Sequence, residues 1–157
     1  MKWSSYFYYD EGQLRWLIDK GNKKAGSIAG TLANSGYIRV GIDRKYYSVH
    51  LVIWEMLVGP IAVGLEIDHI DQNKANNRLA NLRLLTKSMN LLNMGQPKFS
   101  TRKSGKIRAR ISLEGKRIHL GDFTTYEAAL SAYNEEKEKA LEGAIYGKNF
   151  IQEPAVL

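Results

Sequence analysis

The chain has no cysteine. That excludes disulfides and thiolate zinc sites. No apolar run reaches the roughly 18 residues that a membrane-spanning helix needs. The start, "MKWSSYFYYDEGQ", has neither a long apolar core nor a cleavage signal, so nothing in it points to export. The expected location is therefore the cytoplasm, with no membrane partner. Acidic residues are scarce in one stretch. Between Lys98 and His119 eight Lys and Arg stand against one acid, Glu114. The rest of the chain is balanced, so the whole net charge of +7 sits in one short segment. A solvated basic face would account for some of this, but concentration on such a scale favours a polyanion partner.

What is present suffices for folding. The chain has 157 residues, 44% of them hydrophobic, enough for one compact domain or two very small ones. "YFYYD" and "QLRWLI" read as short strands about a turn at Glu11-Gly12. "GNKKAGSIAGTLANSG" reads as loop. "YIRVGI" and "YYSVHL" form a hairpin about "DRK", and "HLVIWEMLVG" a short helix stopped by Gly59-Pro60. "LRLLT" is a strand and "KSMNLLN" a short helix. "NMGQPKFSTRKSG" is a linker. "GKIRARISLEGKRIHLGDF" is two strands about a tight turn. Ile107, Ala109 and Ile111 share one face, with Arg108 and Arg110 on the other; Ile118 and Leu120 point in, Arg117 and His119 out. "TTYEAALSAYNEEKEKALEG" is a helix, with capping-box spacing from Thr124 to Glu127 and Gly143 as its stop.

The segment "LEIDHIDQNKANNRLANLRLLTKSMNLLN", Leu65 to Asn93, is unusually rich in short polar side chains. A surface loop would be the plain explanation. The alternative is a metal site for phosphodiester hydrolysis, which needs a nucleophilic water, a base, and a cation on the phosphate. Asp68-His69 places a carboxylate beside an imidazole. Adjacent side chains on a strand point to opposite sides, so one can face a metal and the other water. Asn supplies neutral oxygens suited to hard cations and can orient an imidazole.

"IDHIDQNKANNRLANLRLLTKSMN" closely resembles the HNH nuclease motif, in the His-Asn-Asn form of phage and intron-encoded homing endonucleases. The upstream "GYIRVGIDRKYYSVHLVIWEMLVGPIAVGLEIDH", and the pieces "YYDEGQLRW" and "KAGS", resemble the same enzymes. The likeness covers residues of about 6 to 94. It implies a ββα-metal fold on one divalent cation, with oxygen donors favouring Mg²⁺ or Mn²⁺ over Zn²⁺. It implies His69 as general base, Asn81 as the residue orienting its imidazole, and Asp68 and Asn90 as metal ligands. Asn77 and Arg78 match "NNR" and are expected to fix the loop or touch phosphate. Arg83 is expected to contact phosphate near the cut. Asn76 reads as a plain turn former, and His50 as a structural histidine. One departure is Leu51, where many relatives carry Arg.

"SGKIRARISLEGKRIHLGDFTTYEAALSAYNEEKEKALEGAIYGKNF" resembles the Apetala-two/ethylene-response-factor DNA-binding domain, on the pieces "GKRIHLGDF", "TYEAALSAY" and the closing "NF". The resemblance implies three antiparallel strands on one helix, with the strands in the major groove. A basic ribbon fits that groove, and Arg can reach guanine bidentately. Candidate contacts are Arg102, Lys103, Lys106, Arg108, Arg110, Arg117 and His119. Tyr126, Tyr133 and Phe150 are expected in the core.

The expectation is thus an α+β chain: a ββα-metal nuclease unit with preceding β-hairpins over 1–95, a basic linker over 96–103, and a small three-stranded sheet on one helix over 104–157. Its function would be metal-dependent nicking of double-stranded DNA by a monomer of the phage homing type, in the host cytoplasm. The alternative is a catalytically inactive DNA-binding regulator on the same scaffold.

Overall fold

The structure is a computed structural model that describes residues 2–95, 97–142 and 144–147. A 3₁₀ turn at Trp3–Ser5 leads into β1 (Phe7–Asp10) and β2 (Gln13–Trp16). Next come β3 (Thr31–Leu32), β4 (Ile38–Ile42), β5 (Lys45–Ser48) and α1 (Val49–Leu57). Then follow β6 (Leu65–His69), a 3₁₀ turn at Leu79–Asn81, β7 (Leu82–Thr86) and α2 (Lys87–Met94). The remainder is β8 (Ser100–Thr101), β9 (Ile107–Leu113), β10 (Lys116–Phe123), α3 (Tyr126–Leu141) and β11 (Ile145–Tyr146). These make small sheets with the strand orders β1-β2, β3-β4-β5, β6-β7-β11 and β8-β9-β10. The α+β class is as expected.

Three hairpins close with the same device. Asp10 pairs with Gln13, Ile42 with Lys45, and Leu113 with Lys116, each across a two-residue loop. Both loop residues have positive φ in every case: Glu11-Gly12, Asp43-Arg44 and Glu114-Gly115. Such turns carry the twist that antiparallel strands need, which is why they sit where the sequence placed them. Gly12 also has a packing role. A Cβ there would lie 2.9 Å from the backbone nitrogen of Arg78, so the first hairpin touches the loop ahead of β7. Tyr9 reinforces that contact, its hydroxyl accepting the N–H of Leu79 at 3.1 Å.

Internal packing separates residues 1–84, with β11, from residues 85–144. The core of the first unit joins Phe7, Leu14, Trp16, Val40, Ile42, Val52, Ile53, Trp54, Leu82 and Leu84. Trp3 ties the chain start to α1, its indole Nε1 donating to Glu55 Oε2 at 2.6 Å. In the second unit Leu92 of α2, Ile111 and Tyr133 form the core, with Phe99, Leu113, Leu120 and Ala140 against it. Ala109 on β9 and Ala129 on α3 are fully buried, and these small side chains let the helix lie close on the sheet. Among the described residues no helix is long and apolar enough to cross a membrane.

Several local expectations are corrected. Thr125, not Thr124, caps α3, its Oγ1 accepting the Ala128 N–H at 3.2 Å. Thr86 caps α2 in the same way through Met89. β8 arises inside the stretch read as linker, and β3 inside the stretch read as loop. Ile118 pairs with Ile111 but stays 39% exposed, and Tyr126 is 51% exposed, its ring beside Phe99 rather than in the core. Gly143, Phe150 and the closing "NF" lie outside the described residues.

A bulge in β10 matters most. Register shifts between His119 and Gly121, so His119 faces Arg110 while Asp122 faces Arg108. Without the extra residue Asp122 would fall opposite Ile107, on the core side. The bulge moves its carboxylate onto the cationic face. Gly121 enables this at φ 142°, where an added Cβ would sit 3.0 Å from the Phe123 ring.

Candidate active site and nucleic-acid interface

β6 ends at Asp68 and His69, both buried. β7 lies beside β6 and carries Arg83. The Arg83 Nε donates to Asp68 Oδ2 at 2.8 Å, and both side chains are only 5% exposed. β11 covers the pair: Tyr146 is the partner of Arg83 across the ladder, with its ring centroid 5.8 Å from the guanidinium carbon. Arg83 was expected to contact phosphate near the cut; the structure holds its Nε on Asp68 instead. Leu82 to Leu85 are all buried, so β7 shows neither face to water, and Leu82 and Leu84 pack into the core.

His69 is met by a different asparagine from the one expected. Its Nε2 lies 3.1 Å from Asn77 Oδ1, and Asn77 is buried to 1% exposure. An amide oxygen facing Nε2 would favour the tautomer with the proton on that nitrogen and the lone pair on Nδ1. The Asn77 Nδ2 is buried with no hydrogen-bond partner. His50, in the first turn of α1, stands edge-on to His69 with ring centroids 5.1 Å apart. Tyr37 closes the group, 5.1 Å from His50 and 6.0 Å from His69. Burial, and then the nearby His69, push the His50 pKa down to about 4. Its Nδ1 is also buried without a partner.

Asn81 has another task. Its Nδ2 donates to Asp71 Oδ1 and to the carbonyl of Asn76, each at 2.9 Å, and its Oδ1 accepts the Asp71 N–H at 3.1 Å. Asp71 also takes Asn76 Nδ2 at 2.7 Å and the Asn73 N–H at 2.8 Å. Burial works against this carboxylate, yet the hydrogen bonds from Asn76, Asn81 and Asn73, with His69 nearby, hold its pKa below the ordinary value. Asn81 thus clamps the loop that delivers Asn77 to His69, and the expected direct bond from Asn81 to the imidazole is corrected. Asn76 is part of the same clamp rather than a plain turn former. Arg78 stays exposed, with Glu11 3.8 Å away.

As to a metal, Asp68 and Asn90 offer a carboxylate and an amide oxygen. Mg²⁺ is held by one or two carboxylates with phosphate and water completing its shell, so this donor chemistry fits a hard cation. Asn90 lies on α2, in the second unit. Among the described residues no three His, Asp or Glu side chains gather as a metal cluster.

The second unit carries the basic face. Arg110, Arg117, Lys103 and Lys106 are exposed. Arg102, Arg108 and His119 all converge on Asp122. The Arg108 Nε lies 2.8 Å from Oδ1 and its Nη2 3.1 Å from Oδ2. Arg102 Nη1 is 3.6 Å from Oδ2, and His119 Nε2 3.3 Å from Oδ1. Arg108 first, against slight desolvation and with help from His119, lowers the Asp122 pKa. Sequence reading missed Asp122, although the glycine inside that strand was a sign of a bulge. For Asn77 over Asn81 no sequence signal exists, since both are asparagines of one loop.

Comparison with known proteins adds a family to this geometry. The HNH endonuclease family pattern matches residues 47–92, which hold α1, β6, the clamped loop, β7 and most of α2. Protein 3.8 of Escherichia phage T7 is 33% identical over 98 residues, covering 57% of this chain and 81% of that protein. An uncharacterized HNH endonuclease of Acanthamoeba polyphaga mimivirus is 32% identical over 111 residues, 66% of this chain and 57% of that protein. A solved structure of the HNH homing endonuclease I-HmuI, described as showing DNA binding and cleavage, aligns with a TM-score of 0.47 at 21% identity. It covers 85% of this chain and 80% of that one.

Proposed function

The chain belongs to the HNH endonuclease family, and on that premise we propose that it hydrolyses DNA phosphodiesters with His69 as general base and one divalent cation, Mg²⁺ or Mn²⁺. The observation that supports this reading is the buried Asp68-His69 pair, with His69 Nε2 held by Asn77 at 3.1 Å. Asn77 keeps the proton on Nε2 and fixes the ring, so Nδ1 can take a proton from the attacking water. Asn81 and Asp71 hold the loop that supplies Asn77. His50, neutral at physiological pH, packs against the ring without competing for that proton. Arg83 holds the Asp68 carboxylate in place. Asp68 and Asn90 would hold the cation, which supplies positive charge to the phosphate and the leaving oxygen.

In this reading Arg78 and the basic sheet of the second unit bind the duplex. Arg110, Arg117, Lys103 and Lys106 contact phosphate, as an Apetala-two-like module would. A monomer with one active site nicks a single strand, in the cytoplasm of a phage-infected host. The test is supercoiled plasmid incubated with protein and Mg²⁺ or EDTA. Nicked circles are expected, dependent on metal and reduced about 10²- to 10⁴-fold in rate by His69→Ala. Equal nicking by His69→Ala would overturn the assignment.

One observation favours a second reading, an inactive DNA-binding regulator. The Arg83 ion pair already occupies one oxygen of the candidate metal ligand Asp68. That reading expects duplex binding with no metal-dependent nicking on any DNA.

A further inference from the structure

The family pattern covers residues 47–92, yet the loop that carries Asn77 is gripped by segments on both sides of that range. Asn77 reaches His69 from a backbone that runs on through Arg78 to the buried Leu79. Hydrogen bonds around Asp71 hold the loop ahead of Asn77. Behind it the backbone meets the first hairpin. The Leu79 N–H donates to the Tyr9 hydroxyl at 3.1 Å, across 70 residues of chain. Gly12, in the turn of that hairpin at φ 92°, comes equally close. A Cβ there would lie 2.7 Å from Arg78 Cγ and 2.9 Å from its backbone nitrogen. Gly147, just after β11, lies against the same residue from another segment, since an added Cβ would collide with the Leu79 carbonyl oxygen.

Distance explains why this grip matters. Asn77 meets His69 Nε2 at 3.1 Å. An outward shift of about 0.5 Å would carry that pair beyond hydrogen-bonding range. Turns among the loop's own residues fix its shape, whereas contacts with the first hairpin and with Gly147 fix its place against the rest of the unit. Tyr9 is suited to the task. Its ring packs against the core of the first unit, so its hydroxyl is a stiff anchor. Leu79 is two residues from Asn77, and holding the Leu79 N–H therefore sets where the Asn77 side chain begins. Resting on the proposed role of His69 as general base, we propose that Tyr9 is a positioning residue of the nuclease site, which holds Leu79 and thereby aims Asn77 at His69. Gly12 and Gly147 permit the close approach. Tyr9 acts through the loop and not on the substrate.

The experiment compares the full chain as wild type, Tyr9→Phe and Tyr8→Phe. Phe keeps the ring and removes the acceptor, and Tyr8 is the exposed neighbour on the same strand. In EDTA, with isotopically labelled histidine, the ring nitrogen shifts report the His69 tautomer, and His69→Ala assigns its signals. With Mg²⁺, nicking of supercoiled plasmid at rising protein separates the maximal rate from the half-saturating concentration. The wild type should show one tautomer, protonated on Nε2, and a slowly exchanging Leu79 amide. Tyr9→Phe should lose the tautomer preference. Its maximal rate should fall by up to about 10²-fold with the half-saturating concentration unchanged. Tyr8→Phe should match the wild type in both readings. The wild-type readings need no variant, so they stand even if Tyr9→Phe unfolds. A freely exchanging Leu79 amide, or a wild-type His69 already divided between tautomers, would overturn the inference. So would a wild-type tautomer and rate in Tyr9→Phe. A raised half-saturating concentration at an unchanged maximal rate would also overturn it, making Tyr9 a support for the Arg78 contact instead. If the wild type cuts no DNA while Tyr9→Phe still disturbs the tautomer, the general-base reading falls and the aiming of Asn77 by Tyr9 stands.

Discussion

Arg83 and Arg108 each sit on a strand with the Nε 2.8 Å from an aspartate oxygen. That distance does not tell them apart. Surroundings do: Arg83 and Asp68 are each 5% exposed, whereas Arg108 and Asp122 are 24% and 26% exposed. In the first pair both charges have lost water, and each now depends on the other. In the second pair water still reaches both, so the ion pair adds little stability and the arginine can serve another partner. An ion pair beneath three strands fixes a chemical group, and the same pair on a sheet face presents one. The division recurs across the molecule. In the first unit the Asp68–Arg83 pair and His69 are held under cover, and in the second Arg110, Arg117, Lys103 and Lys106 stand in solvent.

The comparison breaks most sharply if the two arginines are removed. Arg83→Ala should cost about 3–5 kcal/mol, because it removes the cation paired with the buried Asp68 carboxylate. Arg108→Ala should cost no more than about 1 kcal/mol. Urea titrations of both variants would measure this, and equal losses would erase the distinction.

A second effect of nearly that size is set by His50. Its folded pKa, about 4, lies below the ordinary value of 6.5. The unfolded chain therefore binds a proton that the folded chain refuses between those values. Stability is complete above about pH 6.5 and falls as the pH drops toward 4, by about 3 kcal/mol from this group. His50→Leu should flatten that part of the stability–pH curve, read by thermal melting, and an unchanged slope would remove His50 from the account.

Smaller again is the loop clamp. Asn81→Ala removes a donor from the exposed Asp71 carboxylate and the Asn76 carbonyl, where water can replace it, and should cost about 0.5–1.5 kcal/mol. Cutting should fall more than duplex binding, because the loop delivers Asn77 to His69 and brings Arg78 as one of several proposed DNA contacts. Smallest in stability is Arg110→Ala, expected within about 0.5 kcal/mol of wild type. Its effect should appear in the salt dependence of duplex binding, where the log–log slope should lose about 0.9 for one phosphate.

How much of this could be read in the sequence follows the same division. Asp68-His69 was legible because a carboxylate beside an imidazole at a strand end is a local pattern. The hairpin turns were legible because a two-residue loop leaves its mark in its own residues. Which asparagine meets His69 was not, since a chain of Asx turns decides which side chain of the loop points inward. The pairing of Arg83 with Asp68 was not legible, because the cover over it includes Tyr146 of β11, some 60 residues further on. Two-residue strands such as β3, β8 and β11 are too short to show a period. The bulge in β10 shifts the alternation by one residue and so hides Asp122 from any period-of-two reading.

The most direct measurement takes cutting and binding on the same DNA in parallel. Nicking of supercoiled plasmid with Mg²⁺, and binding to that plasmid in EDTA, would be followed for wild type, His69→Ala and the Arg110→Ala/Arg117→Ala double variant. The account predicts that His69→Ala loses nicking and keeps binding. The double variant should lose binding as salt rises, yet still nick at low salt. Loss of both activities together in His69→Ala, or nicking by His69→Ala at the wild-type rate, would contradict it.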